Sequence, residues 1–239
     1  MQETDYATTF ALEGHNWWFV GMRRICRELA SRAAPPNAQA GPGSISLDVG
    51  CGTGINLDEA GGEPVGVDTS MTALTFCRRR CLGRLVNADG ANLPFADRSV
   101  ERITAIGVIE HNEDDVGALR EWARVLRPGG QLTLLTSAYA WMWSGHDVSN
   151  HHIRRYRARD VSVLLNSVGL APVQVSYVNS LLFAPIAIVR LIERLIRRGR
   201  SPRAHKNTAE LPAAFNRVLI AVLAMEASRM RWISLPCGV

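Results

Sequence analysis

Three glycines at alternate positions, Gly50, Gly52 and Gly54, close the stretch "LDVGCGTG" (47–54). Glycine loses more backbone entropy on folding than any other residue. Three in five positions therefore mark a backbone that must turn left-handed or be approached closely. The loop follows an apolar run carrying one acid, Asp48. Two further acids end similar runs: Asp68 in "VGVD" and Asp89 in "NADG". A carboxylate at a strand tip can accept from both hydroxyls of a ribose, which suits Asp68, and Asp89 can accept from an exocyclic adenine amine. Asp48 could serve an ammonium group or hold the loop. Each acid alone could be a cap or turn residue, but the three together favour a ligand. Ile55 stands where the dinucleotide fingerprint needs its last glycine, so that fingerprint is absent.

A second cluster is "WSGHDVSNHHIRRYR", Trp143 to Arg157. It holds His146, Asp147, His151, His152, Arg154, Arg155 and Tyr156, and so three of the six histidines. Imidazoles titrate near neutrality and can take or give protons. One reading is a general base or acceptor-orienting site led by His146 with Asp147. Another is a metal site, which the spacing does not support; no metal is expected. A third is structural, with Arg154, Arg155 and Tyr156 pinning the loop, and it is favoured for the arginines. For His146 and His152 a site role is favoured.

The elements that must position these residues follow from periodicity. "NWWFVGMRRICRELASRA" reads as a helix and "APPNAQAGPGS" as a linker. Strand and helix patterns then alternate: "SISLDVG", "PVGVDTS", "RLVNADG", "VERITAIGVIEH", "QLTLLTSA" and "PVQVSYV" as strands, with "INLDEAGG", "MTALTFCRRRCL", "DDVGALREWARVLRPGG" and "RARDVSVLLNSVGL" as helices. Such alternation predicts an α/β fold with a doubly wound, mostly parallel sheet. In that architecture ligands bind outside the carboxyl ends of the strands, which is where the glycine loop falls. "SLLFAPIAIVRLIERLIRRGR" and "LPAAFNRVLIAVLAMEASRMRW" are two apolar helices around a basic break.

The ordered stretches "LDVGCGTG", "VGVDTS", "NADGANLPFADRSVERI", "GVIEH" and "LRPGGQLTL" resemble the class I S-adenosylmethionine-dependent methyltransferases, of the type-11-like bacterial kind, over about Ile45 to Val178. The resemblance implies a Rossmann-like fold and S-adenosyl-L-methionine as cofactor. It implies that Gly50, Gly52 and Gly54 let the backbone approach the amino-acid part of the cofactor, with Asp48 beneath. Asp68 would hold the ribose hydroxyls, Met71 would lie against the adenine, and Asp89 would read its amine beside the Gly90 amide. Gly107 would leave room next to the sulfonium, and Glu110 and His111 fall where the family often faces its acceptor. His146, His152, His111 and Tyr156 are thus the candidate catalytic groups. The stretch "INLDEAGGEP" is about one helical turn short of the family pattern, which predicts a stunted helix and an intact site. Relatives also carry a final antiparallel strand inserted between the strands corresponding to "QLTLLTSA" and "PVQVSYV"; here "ISLPCGV" resembles the approach to it, and the strand itself is expected to be missing or vestigial. "QLTLLTSA" would then be left as an edge, which allows a homodimer.

Composition narrows the partners. Hydrophobic residues make up 47% of 239, and no run reaches the roughly eighteen apolar residues of a membrane span. No basic segment followed by an apolar one opens the chain, so the expected compartment is the cytoplasm. Five scattered cysteines, Cys26, Cys51, Cys77, Cys81 and Cys237, are no disulfide framework. The net charge is +5, and Arg190, Arg194, Arg197, Arg198, Arg200, Arg203 and Lys206 face one acid, Glu193. An apolar surface ending in cationic charge suits an anionic membrane surface or an amphiphilic acceptor, so peripheral membrane contact is expected through residues 181–206. No nucleic acid is expected, because "GVIEH" replaces an "NPPY"-type motif and the basic segment lacks interleaved aromatics.

The expected organisation is an N-terminal helical lid or cap (1–36), a cofactor-binding methyltransferase domain (44–180) and a C-terminal helical appendage (181–239). The aromatic run Trp17–Phe19 would form part of the lid or pack on the domain. The expected function is methyl transfer to a small-molecule or amphiphilic, lipid-linked acceptor. The rivals are a non-methylating use of the same cofactor and a non-catalytic cofactor-binding subunit.

Overall fold

The computed structural model describes residues 3–33, 43–57, 62–80, 83–197, 201–202, 210–230 and 232–239. Two helices open the chain, α1 (Glu3–Leu12) and α2 (Trp17–Ala33). Then come β1 (Ile45–Val49), β2 (Glu63–Asp68), α3 (Met71–Arg80), β3 (Arg84–Asn87), β4 (Val100–Ile106), α4 (Asp115–Val125) and β5 (Leu126–Leu135). Four more helices follow: α5 (Gly145–Ser149), α6 (Ala158–Ser167), α7 (Phe183–Arg197) and α8 (Ala213–Met230). The strands form one sheet in the order β3-β2-β1-β4-β5, and every pairing is parallel. The chain turns from building leftward to building rightward between β1 and β4. That switch point opens a crevice at the carboxyl ends of both strands.

One face of the sheet carries the main core. Leu47, Val49, Val67, Ile103 and Ala105 meet Ala118, Leu119 and Trp122 of α4, all buried, and α6 adds Val161, Leu164 and Leu165. Trp122 is fully buried, and its indole N–H donates to the carbonyl of Gly90 at 2.9 Å. The central helix of the core thereby fixes the loop after β3. The α6 pattern ends as its sequence predicts: Gly169 takes φ +81°, and the amides of Gly169 and Leu170 return to the carbonyls of Asn166 and Leu165. On the other face α2 packs along α8, with Met22, Ile25, Leu223, Ala227 and Met230 buried around Val178 and Leu135.

Two expected elements differ. "PVQVSYV" forms no strand; among the described residues β5 is the edge of the sheet. A strand exists only through its ladder. The final strand that would separate this segment from β5 is absent among the described residues, so 172–178 has no neighbour in register. It is held by the C-terminal tail instead, through Tyr177 N to Leu235 O at 3.3 Å and Val239 N to Val178 O at 2.8 Å. The helix expected through "RPGG" ends at Val125, and β5 begins at the next residue. The register slip against β4 at this point absorbs the Pro-Gly-Gly, since a bulge tolerates a residue that cannot donate. Residues 58–61, half of the expected helix "INLDEAGG", lie outside the described residues.

Trp122→Ala should remove about 3–5 kcal/mol of stability, the usual cost of emptying a large buried site. Urea unfolding followed by circular dichroism measures it. A loss under 1 kcal/mol would show that the core does not rest on this side chain.

Candidate functional site

The loop after β1 is tied on every side. The amides of Gly50 and Cys51 donate to Val67 O of β2 at 2.8 and 3.0 Å. Gly50, Gly52 and Gly54 have φ of +68°, +54° and +83°. A side chain on Gly50 would stand 2.6 Å from Val108 after β4, so packing of the crevice wall demands glycine there. At Gly52 the reason is different. A Cβ there would meet nothing within 4 Å, so the left-handed backbone faces open space above the sheet edge.

Acids surround that space. Asp68, at the tip of β2, accepts from Gly52 N at 2.9 Å and from Ser70 N at 2.8 Å, and so braces the loop from its neighbouring strand. Asp48 is buried beneath the loop, and its Oδ2 has no hydrogen-bond partner. Burial, reinforced by Cys77 and Asp68 nearby, pushes its carboxyl up to about 8. Asp89 is exposed after β3, with one oxygen on Ala91 N at 2.9 Å. Met71, at the start of α3, is 60% exposed, unusual for a large apolar side chain beside a cleft. A buried carboxyl with one unpartnered oxygen under an open glycine backbone, its group otherwise bonded to Asn56, with two acids at adjacent strand tips and an exposed thioether, fits S-adenosylmethionine. Asp48 would face the ammonium of its amino-acid end, Gly52 would admit that end, Asp68 would take the ribose, and Met71, Asp89 and Gly90 would take the adenine.

The structure adds residues that sequence reasoning missed. α1 lies against α3 beside the glycine loop. Glu13, buried just past its end, accepts from the hydroxyl of Thr53 in the loop and pairs with Arg80 of α3 at 3.0 Å. Tyr6 is buried with its hydroxyl on Ser70, beside Asp68. Glu13 and Thr53 stand 40 positions apart, and no local pattern links them. The aromatic run lies elsewhere: Trp17 packs with the α2–α8 cluster and Trp18 is exposed.

The other wall is built after β4 and β5. Gly107 (φ +67°) turns the chain into a short 3-10 turn, Ile109–His111. Glu110 is buried there. It accepts from the Thr136 hydroxyl at 2.8 Å and the Ser137 hydroxyl at 3.1 Å, while its carbonyl accepts from Ile153 N at 2.8 Å. Glu110 thus fastens the rim loop to both strand ends and is committed to structure. This brings His111, His146 and His152 together, with His152 ring centroids 4.8 Å from His111 and 6.1 Å from His146. All three arise from separate turns of chain at the carboxyl edge.

Asp147 orients the cluster. It is fully buried, receives both arms of Arg155 at 2.7 and 2.9 Å, and holds Nδ1 of His152 at 3.0 Å. Burial alone would raise its carboxyl, but the hydrogen bonds from His152 and Arg155 hold it well below the usual carboxylate range. The pairing expected from sequence, His146 with Asp147, is not made. Consecutive helical residues point about 100° apart, so within α5 Asp147 turns inward to His152. His146 instead meets the Asn150 amide at 2.9 Å. Burial and the neighbouring His152 lower His146 to about 4, so it is neutral at pH 7. When Nδ1–H is given to Asp147 in the neutral ring, Nε2 of His152 is the nitrogen left to accept. Tyr156 is buried in the core, and its hydroxyl donates to Asp115 at 2.9 Å, where Arg154 also pairs at 2.9 Å.

Beyond the rim, Trp141, Trp143 and Arg157 line a cavity of about 620 Å³ with Arg194 and Arg197 of α7. Tyr139 at its edge stacks on Tyr177 at 4.8 Å and tilts against Phe183 at 5.7 Å. An aromatic wall with three guanidinium groups suits an acceptor that is apolar in part and anionic in part.

Comparison with known proteins agrees with this geometry. The methyltransferase domain family matches residues 47–134. A probable S-adenosylmethionine-dependent methyltransferase of Mycobacterium tuberculosis is 30% identical over 168 residues, 68% of this chain and 58% of that protein. A demethylmenaquinone methyltransferase of Corynebacterium kroppenstedtii is 40% identical over 96 residues, 39% of this chain and 42% of its own. A probable tRNA methyltransferase 9B of Mus musculus is 36% identical over 129 residues, 52% of this chain and 26% of its own. The chain therefore spans less than two thirds of each of these relatives. A methyltransferase structure from Archaeoglobus fulgidus shares the fold, with a TM-score of 0.52 at 17% identity over 76% of this chain and 90% of that one.

Because Asp48 titrates near 8, it is largely protonated in the free protein at pH 7. A cation bound above it favours the ionised form, so S-adenosylmethionine binding should release up to one proton. Calorimetry at pH 7 in two buffers of different ionisation enthalpy reads this directly. Asp48→Asn should abolish the release and weaken binding; an unchanged release would place the proton elsewhere. The same shift has a stability consequence. Between pH 4 and 8 the unfolded chain ionises Asp48 while the folded one retains the proton, so Asp48 lowers stability as pH rises through that window. Asp48→Asn should flatten that slope in thermal melts, and an unchanged slope would mean that Asp48 does not set it.

Proposed function

We propose that this chain, a class I S-adenosylmethionine-dependent methyltransferase by its domain and fold, methylates an acceptor with an apolar body and an anionic group. The observation that carries methyl transfer is the open left-handed backbone of Gly52 above the buried, unpartnered Oδ2 of Asp48. The cofactor, when bound, supplies a methyl already activated on a sulfonium. The chain must then bind and align the nucleophile, keep water out and, for a hydroxyl acceptor, take a proton.

The rim loop can meet each demand. Asp147, clamped by Arg155, orients His152 so that its Nε2 is presented as a proton acceptor. Neutral His146 stands beside it. Burial keeps both rings from wandering and strengthens their hydrogen bonds by excluding water. The cavity of Trp141, Trp143, Arg157, Arg194 and Arg197 supports the acceptor class, with ring faces for the apolar part and guanidinium forks for the anionic part. The name of the Corynebacterium relative, a demethylmenaquinone methyltransferase, supports the apolar part of this reading.

The test is incubation with methyl-labelled cofactor and a lysate split into lipid, polar small-molecule and nucleic-acid pools. Label is expected in the lipid pool. Label confined to the polar or nucleic-acid pool would overturn the acceptor class. With the acceptor in hand, His152→Ala should lower turnover by about 10²–10⁴-fold, the range of a lost proton acceptor. It should leave cofactor affinity unchanged, and His146→Ala should cost less. Equal losses of turnover and cofactor affinity would reduce the cluster to a structural part.

A further inference from the structure

α7 is an amphipathic helix turned the wrong way round for a surface helix. Arg190, Arg194 and Arg197 fall at i, i+4 and i+7, on one face. That face is turned to the domain. Arg190 lies close enough to His146 to perturb it, and Arg194 and Arg197 line the cavity under the helix. The side chains of Arg190 and Arg197 are only 14% and 23% exposed. The opposite face carries Ile188, Val189, Leu191, Ile192, Leu195 and Ile196, each at least 48% exposed, with Leu195 and Ile196 at 75%. No residue of α7 is buried. A surface helix normally buries its apolar stripe and solvates its charges; here Arg190 and Arg197 are partly covered on the domain side, Arg194 stays exposed, and the stripe is uncovered. Six contiguous aliphatics on one helix are an exposed apolar patch of the kind that marks an interface.

We propose that this stripe docks the protein on an anionic lipid surface, with α7 lying in the headgroup boundary. Three observations select a lipid. The helix is fifteen residues long, enough to lie in the interface plane and too short to cross the bilayer. Among the described residues, no helix is long and apolar enough to span a membrane. The sequence 190–206 that contains the stripe's second half carries seven basic residues against Glu193, in a chain of net charge +5, which complements an anionic headgroup layer. A second copy of the chain could also cover the aliphatics. Joining two copies through α7, however, would bring two arginine-rich segments together, and like charges oppose that contact. Docking is independent of the acceptor's chemistry.

The experiment is sedimentation of the full chain with vesicles of phosphatidylcholine alone and of phosphatidylcholine mixed with phosphatidylglycerol, at low and high salt. Partitioning should be at least ten-fold stronger into the phosphatidylglycerol vesicles and should weaken as salt screens the charge. Leu195→Ser with Ile196→Ser should lower it at least ten-fold, with the melting temperature and S-adenosylmethionine affinity of the parent retained. Both positions are exposed, so the fold does not need them. Arg194→Glu should lower partitioning while leaving the aliphatic stripe intact. Absence of binding to phosphatidylglycerol vesicles would overturn the proposal, as would a serine variant that binds like the parent. So would a parent that is dimeric in solution, becomes monomeric in the serine variant and ignores vesicles. Cofactor affinity and methylation of a detergent-dispersed acceptor, measured without vesicles, keep this outcome separate from that of the proposed reaction.

Discussion

The whole carboxyl edge of the sheet depends on one constraint: the backbone leaving β1 must turn left-handed at three alternate residues within five. Every neighbouring element meets that turn. β2 accepts its amides through Val67 and braces it through Asp68. The segment after β4 packs Val108 where only Gly50 leaves room. α1 reaches it through Glu13 and Thr53, and Arg80 of α3 completes that contact. A residue with a Cβ at Gly50 would have to push β4 and β1 apart, and the crevice between them is where the ligand must sit. The loop is therefore both the site and the junction that defines the site's width.

The opposite wall is built on charge. Asp147 and Asp115 are buried acids, each paired with an arginine from "RRY" and each also holding a ring partner, His152 or Tyr156. A buried carboxylate without its cation is costly, so each arginine is tied to its acid. The two pairs have different consequences. Arg154 and Tyr156 anchor the loop to α4 and the core. Arg155 and Asp147 set the direction of a histidine ring that faces the rim. The same doublet of arginines thus serves fold and site, and adjacent positions in the chain fall on opposite sides of that division.

The helices outside the sheet follow a third logic. α2 and α8 bury their apolar residues against each other and against β5, as amphipathic helices do. They also occupy the flank left by the shortened sheet, where Leu135 of the edge strand joins their cluster. α7 does the reverse. Its arginines point into a cavity with tryptophans, and its aliphatics face away. The two behaviours in one terminal region separate helices that complete the domain from one that leaves its aliphatic face uncovered.

Local pattern alone was sufficient for much of this. The strand and helix order from β1 to β5, the left-handed glycines, the acids at the strand tips and the Gly169 cap are written within a few residues of each feature. Turn chemistry and periodicity act at that range. What tertiary structure alone decided lies at longer range or depends on what is missing. "PVQVSYV" has strand composition, yet a strand needs a neighbour, and none stands in register. Asp147 adjoins His146 in the chain, yet helical geometry gives its carboxylate to His152. Glu13 has no local mark of a site residue and acquires its role only when α1 folds over a loop 40 positions away. The period of α7 reveals that it has two faces. Which face meets the domain could not be read from it, because that depends on the cavity of Trp141, Trp143 and Arg157, assembled from other segments, which takes in the charges.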